Sequence, residues 1–406
     1  MSIEEVAAQV AAQFVGTPDG CRGVGSQTSK STCFETTGRP LKESFAPLLE
    51  WVSPGVLRAT GWTFVRDVIA FASASGFAIP TIGEWDGQTL AGAVSTGTHG
   101  GSYEYGSLAS SVVRVMLVDG KGQLQTFAKG TDELRAVLSS FGSTGIIVAL
   151  DLACEPTFDL ALERRRFSIA DYARELVANT GKATFRAAVW ESTTEWVVDF
   201  SSTKVTHGEG PPGLPTEREQ RFGDKASVYA WVARNLRLTW PFSSIGAKDY
   251  RGRYEAMLAP LRGDEAATIL RRRKLQRTPL ESELAIDLTD TEAFLTELRS
   301  LLRNRKGPDR MIGLRPMAGD DVWLSPTLGK PCLWVSFFIH PENPFVPDLV
   351  ALLQRHSARP HWGKHLLYPP AAISALYPQW NAYRAIRDRL DPDRVFINRY
   401  SAELGL

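Results

Sequence analysis

Between Thr89 and Ser110 the chain reads TLAGAVSTGTHGGSYEYGSLAS, with Gly92, Gly97, Gly100, Gly101 and Gly106 set among small hydroxyl side chains. Glycine loses more conformational freedom on folding than other residues, so such a cluster implies a backbone that bends sharply or admits a close neighbour. Successive N–H groups exposed by glycine and small residues form a concavity for an anion, and a dinucleotide diphosphate is the commonest ligand that needs one. The spacing matches neither G-x-G-x-x-G nor the P-loop, so neither a Rossmann nor a Walker site is supported. A glycine-rich loop that only packs tightly between strands is the alternative reading.

Other chemistry is sparse. Cys21, Cys33, Cys154 and Cys332 form no C-x-x-C pair and no zinc-ligand spacing, which points to no metal and to a reduced, cytoplasmic setting. The basic run Arg271 to Lys274 reads as a solvated face. With 46 basic and 45 acidic residues the net charge is +1, too small a field to recruit nucleic acid or an anionic membrane. The first residues carry acids where a secretory signal would carry Lys or Arg, and no apolar run reaches the ~18 residues of a membrane span.

The elements that position these groups follow an α+β pattern. Four hundred and six residues, 43% of them hydrophobic, suffice for two buried cores. Ser2 and Glu5 make a capping box for an N-terminal helix with Val6, Val10 and Phe14 on one face. CRGVGSQTSKST is a short strand entering a loop, and PGVLRATGWTFVRDVIAFASASGFAIP is strand, turn, helix and turn. A hairpin pivots on Asp119-Gly120, TDELRAVLSSFG is a helix and GIIVALDLACEP a strand. Composition shifts near Pro156, after which FRAAVW, WVVDF, SELAIDL, MIGLRPM and CLWVSFFI read as strands, with helices over Ala226 to Leu238 and Thr291 to Arg303. Gly208 to Asp224, with three prolines, is an exposed loop. The tail holds one helix, AAISALYPQWNAYRAIRDRL.

Six segments, in order, resemble the vanillyl-alcohol-oxidase-type (PCMH-type) flavoproteins, within them the alditol oxidase and sugar-1,4-lactone oxidase group. They are GQTLAGAVSTGTHGG, GSLASSVVRVMLVDGKG, FGSTGIIVALDLACEP, DDVWLSP, RPHWGK and LDPDRVFIN. The resemblance implies an FAD-binding domain over residues 1–156, a mixed α/β cap domain over the flavin in 157–364, and a return to the FAD-binding domain in 365–406. It implies that Ser95, Thr96, Gly97, Thr98, His99, Gly100 and Gly101 lay backbone amides against the FAD diphosphate and that Ser107 adds a hydroxyl contact. Gly142, Gly145 and Ile147 would hold the adenosine side, with Asn398 contributing from the C-terminal motif. For His99, a loop histidine held by hydrogen bonds is preferred over a catalytic one.

The chain departs from the group at three places. Its first phosphate loop reads approximately GSGHSFS in most members, with a histidine bonded to the flavin; here Gly25, Ser26, Gln27, Thr28 and Ser29 occupy it, and Thr28 has no ring nitrogen to form that bond. FAD is therefore expected to be non-covalent. Where the polyol oxidases carry Glu-x-Arg, this chain has Gly313-Leu314-Arg315, keeping the arginine without the carboxylate. Where they place a histidine on the next strand, this chain has Phe337 or Phe338, with His340 sharing a face with Phe338. What is left for catalysis is Lys364 in HWGK, which the resemblance places at the substrate oxygen, with Arg315, Glu281 and His340.

These departures give the expected function: hydride transfer from a C–H of a small organic substrate to flavin, then to oxygen or another acceptor. The pocket is altered toward a less hydroxylated donor, as in specialised metabolism, and simple polyols and hexonolactones should react poorly. An ordinary alditol or aldonolactone oxidase is the first alternative, and an FAD-binding protein without catalysis the second.

Overall fold

The computed structural model describes residues 2–15, 20–36, 38–41, 47–83, 85–178, 180–192, 195–208, 280–303, 311–339 and 342–406. The expected helix at Ala226 to Leu238, the basic run at 271–274, the proline-rich loop beyond Gly208 and His340 lie outside the described residues.

The first domain contains β1 (Cys21–Gly23), β2 (Arg39–Leu41), β3 (Leu49–Ser53), β4 (Val56–Thr60), β5 (Phe77–Ala78), β6 (Val112–Val118), β7 (Leu124–Ala128), β8 (Ile146–Ala153) and β9 (Glu155–Pro156). Five of them form an antiparallel sheet in the order β3-β4-β8-β6-β7. Strand β8 is apolar almost throughout because both its faces are covered. Ile146 and Val148 pack with Val6, Val10 and Phe14 of the N-terminal segment, and Leu150 and Leu152 pack with Val65, Val68 and Leu90 on the other side. The helix Ile3–Ala11 starts at the capping box of Ser2 and Glu5. In the β6–β7 turn Asp119 Oδ1 accepts from the amides of Lys121 and Gln123, and the positive φ falls at Gly122, not Gly120.

The second domain is built on an antiparallel sheet of seven strands: β10 (Phe158–Ser168), β11 (Phe185–Glu191), β12 (Trp196–Thr206), β13 (Leu280–Asp287), β14 (Met311–Met317), β15 (Cys332–Ile339) and β16 (Arg359–Pro360). Their order is β10-β12-β11-β14-β15-β13-β16. Period-two alternation separates its two faces. Leu284, Ile286, Ile312, Leu314, Val335 and Phe337 join the apolar core with the helices Ile169–Ala178, Thr291–Arg303 and Val346–Arg355. Glu281, Glu283, Gly313, Arg315, Trp334 and Ser336 take the opposite parity on the same strands.

That opposite face meets the first domain. Ser102 bridges to both Phe185 and Met317, and Gly101 exchanges backbone hydrogen bonding with Arg186, whose N–H donates to the Gly101 carbonyl at 2.9 Å. A Cβ at Gly101 would lie 2.1 Å from the Arg186 carbonyl oxygen and 3.2 Å from Arg315 Cβ, so no larger residue fits between the layers. The expected single tail helix is interrupted: a 3₁₀ turn at Ser374–Leu376 precedes Pro378, and the helix proper runs Trp380–Leu390. Phe396 and Val395 then return to the core of the first domain.

Candidate active site and cofactor cleft

A half-open cleft runs along the first domain. Its walls come from residues 22–29, the start and end of the short helix Leu90–Ser95, and the segments at 141–142 and 145–147. Gly25, Ser26, Gln27, Thr28, Ser29, Ser95, Thr96, Gly142, Gly145 and Ile147 all line it. Among the described residues no carboxylate lines it. Among the described residues the amides of 25–29 make no backbone hydrogen bond, and Gln27 sits at φ 56°, which turns successive N–H groups into a nest for an anion. Among the described residues, a cleft lined by amide and hydroxyl donors and by no acid fits the diphosphate of FAD.

The glycine-rich loop contributes differently from its expected role. The amides of Thr96, Gly97 and Thr98 donate to the carbonyls of Gly92, Val94 and Ala93, closing the turn after the short helix. Gly97 takes φ 74° to make that turn. Gly97, Thr98, His99, Gly100 and Gly101 therefore leave the cleft wall and carry the chain beneath the second domain's sheet. Ser107 is also off the cleft: its hydroxyl donates to Asp320, which Ser325 and Thr327 hold from the other side. Asn398 caps the helix Arg399–Glu403 and donates to the carbonyls of Cys33 and Glu35, fixing the loop behind the cleft without lining it.

At the end of the cleft lies a buried polar cluster. The segment His361 to Lys364 is pinned against the cleft wall, since the Lys30 amide donates to Gly363 O at 2.7 Å and Ser31 Oγ to Trp362 O at 2.7 Å. His361 N–H donates to the Glu283 carbonyl at 2.9 Å, which ties this segment to the sheet. Glu283 lies across β15 from Arg315, with Ser336 as its register partner and Gly313 beyond. Both intervening side chains are small, so the carboxylate and the guanidinium meet directly over the middle strand. Lys364 Nζ contacts the Glu281 carboxylate and lies 4.0 Å from Glu283 Oε2.

Two histidines complete the cluster. His99 stacks on Trp334 with ring centroids 3.9 Å apart, and its Nδ1 is 2.8 Å from the Gly100 carbonyl. A carbonyl only accepts, so Nδ1 carries the proton and the neutral ring turns the Nε2 lone pair toward Glu283 Oε1, 3.6 Å away. His361 is the reverse: its Nδ1 accepts from the Gly363 amide at 2.9 Å, leaving Nε2–H as donor. Burial pushes both imidazoles down, His361 well below its ordinary value, so neither is charged at neutral pH. Burial would raise Glu283, but the Arg315 guanidinium, with Lys364 beyond it, holds its carboxyl well below the usual range. His99, Glu283 and His361 each offer a ligand atom within 4.8 Å, a spacing a metal ion could use. The carboxylate's charge, however, is already matched by Arg315.

Of the expected catalytic residues, the structure gathers Lys364, Arg315 and Glu281 in one place. It corrects one substrate-pocket assignment and leaves Gly313 on the site face. Phe337 points away, into the core under the helices, because its strand parity is that of Val335 and Ile339. Gly313 supplies no carboxylate, yet the site does not lack one, since Glu283 reaches Arg315 from two strands away. Phe338, opposite Glu281, has the parity of the site face. Glu283, His361 and Trp334 were not singled out from sequence. Glu283 had a signal: it follows Glu281 by two residues on a strand, which puts both on one face.

The comparisons with known proteins follow this geometry. The model of the FAD binding domain family matches residues 2–128, and that of the D-arabinono-1,4-lactone oxidase family matches residues 268–404. The chain is a PCMH-type flavoprotein. It is similar to the sugar-1,4-lactone and alditol oxidases and is an FAD-dependent oxidoreductase. L-gulono-1,4-lactone dehydrogenase of Mycobacterium tuberculosis is 28% identical over 79% of this chain and 74% of that protein. Alditol oxidase of a Streptomyces species is 26% identical over 86% of this chain and 80% of that protein. Cholesterol oxidase from B. sterolicum shares the fold, with a TM-score of 0.70 at 13% identity over 98% of this chain and 91% of that one. Among the described residues no helix is long and apolar enough to cross a membrane.

Proposed function

We propose that this flavoprotein oxidises a hydroxyl-bearing carbon of a small polar molecule of the aldonolactone or alditol class, with FAD held non-covalently and oxygen or another acceptor closing the cycle. The observation that carries this reading is the Glu283–Arg315 pair with Lys364 and Glu281 beside it, at the end of the acid-free cleft. The side chains of Glu283 and Arg315 are 1% and 4% exposed, while those of Glu281 and Lys364 are 13% and 20% exposed, so the second pair is the one a substrate reaches. FAD, when bound, supplies the hydride acceptor. Lys364 donates to the reacting hydroxyl oxygen and steadies the negative charge that builds on it, and the Glu281 carboxylate takes the hydroxyl proton. Glu283 and Arg315 fix the orientation of that pair and keep water out. A site built to pair hydroxyl groups rejects molecules that lack them.

The test is anaerobic mixing of the flavin-loaded protein with L-gulono-1,4-lactone and with xylitol, following loss of the yellow colour. One of them should bleach the wild type, and Lys364→Met should slow that bleaching by about 10²- to 10⁴-fold. A second reading, a less hydroxylated donor of specialised metabolism, is favoured by Phe338 on the site face and by the bare Gly313 beside it. Bleaching by an aromatic alcohol and by neither polar donor would replace the first reading with the second.

A further inference from the structure

Arg22 is the one formally charged residue lining the cleft, and it is 1% exposed. Its guanidinium lies under the cleft floor: a Cβ at Gly142 would stand 3.8 Å from Arg22 Cζ. Among the described residues its hydrogen-bond partners are all main-chain carbonyls. Nε and Nη2 donate to Cys33 O at 3.1 and 2.7 Å, Nη1 to Gly142 O at 3.2 Å and to Phe396 O at 2.6 Å, and Nη2 also to Phe141 O. Among the described residues no carboxylate forms an ion pair with it. Carbonyl dipoles satisfy the five N–H donors but leave the unit charge uncancelled, and an uncancelled charge in a low-dielectric interior is costly. Burial accordingly lowers the tendency of this arginine to hold its proton.

Resting on the reading of this cleft as the FAD site, we propose that Arg22 is a positioning residue with a second role: it clamps the cleft walls at Cys33 and at Phe141 to Gly142 to the C-terminal segment at Phe396, and its buried charge is the countercharge for the FAD diphosphate. The clamp follows from the partners, since Cys33, Phe141 to Gly142 and Phe396 belong to segments far apart in sequence that this one guanidinium joins. The countercharge follows from the lining. Among the described residues no lysine or second arginine faces the cleft, so the amide nest at 25–29 and this buried charge are what that wall offers a dianion. Charge and clamp separate experimentally, because lysine keeps the charge but cannot reach four carbonyls, whereas glutamine and methionine remove the charge.

The experiment measures the dissociation constant of FAD by quenching of flavin fluorescence for the wild type and for R22K, R22Q and R22M, with far-UV circular dichroism as the check of folding. Wild-type binding tests the reading of the cleft; failure of the wild type to bind FAD overturns that reading, and this inference with it. With wild-type binding established, R22K should weaken FAD by no more than about tenfold and R22M or R22Q by about a hundredfold or more, as expected for loss of a buried charge facing a dianion. Folded R22M or R22Q with wild-type affinity overturns the proposal, as does R22K weakened as much as R22Q, which would leave the clamp alone. If R22M and R22Q do not fold, R22K decides: affinity within tenfold of wild type upholds the countercharge, and a hundredfold loss overturns it.

Discussion

Replacing Glu283 with glutamine should be among the most destabilising conservative changes in this protein. The side chain keeps its size, but Arg315, 4% exposed and in direct contact, would be left as a buried cation without its carboxylate. Two unit charges about 4 Å apart at an effective dielectric of about 20 attract by roughly 4 kcal/mol, and breaking a buried pair from one side costs about 3–5 kcal/mol. The expected loss is therefore about 3–5 kcal/mol at pH 7, read from urea unfolding followed by tryptophan fluorescence, since Trp334 and Trp362 flank the site. Arg315→Met alone should cost a similar amount, and the double variant should lose less than the two together by about 2–3 kcal/mol, because neither charge is then stranded. The pH dependence fixes the cause. A carboxyl held below its ordinary value near 4.5 contributes fully above that pH, and the contribution is lost as pH falls through the folded-state value. The gap between wild type and Glu283→Gln should thus narrow in acid. A variant within about 0.5 kcal/mol of wild type at pH 7, or a gap that widens on acidification, would refute the pairing.

Two further outcomes are expected. Thr28 lines the cleft and has no ring nitrogen, so acid precipitation should release FAD into the supernatant; flavin retained in the pellet would contradict this. His99 and His361 are buried neutral, so below pH ~6.5 the unfolded chain takes up protons that the folded one refuses, and stability falls by up to about 1.4 kcal/mol per pH unit for each. Buried Asp320 and Asp391, whose carboxyls are raised, act in the opposite direction, so the informative quantity is the difference from His361→Asn. That variant should show a shallower acid slope between pH 6.5 and 5.5, and an unchanged slope would mean that the imidazole titrates in the folded state.

Much of the fold was legible because local chemistry and tertiary packing agree there. The N-terminal capping box, the apolar run of β8 and the five cap strands stand where their residue types put them. Among the helices missed, two of ten residues had their period present, Ile169, Tyr172, Ala173 and Leu176 in one and Leu349, Leu352 and Leu353 in the other. The site was half legible. Lys364 and Arg315 were found by motif, whereas the Glu283–Arg315 contact depends on β13 and β14 flanking β15, a strand order that linear spacing does not encode. The glycine loop was misassigned for a related reason. Its amides looked free in sequence, but the short helix before it uses three of them.

The long-range contacts of Arg22 also bear on how the protein is made. Its partner Phe396 lies 374 residues downstream, and at roughly 5–20 residues per second a ribosome needs about 20–75 seconds to supply it. During that interval the Arg22 guanidinium lacks the carbonyl that ties it to the C-terminal segment. The contact that joins Cys33 and Phe141 to that segment therefore closes only when the chain is nearly complete.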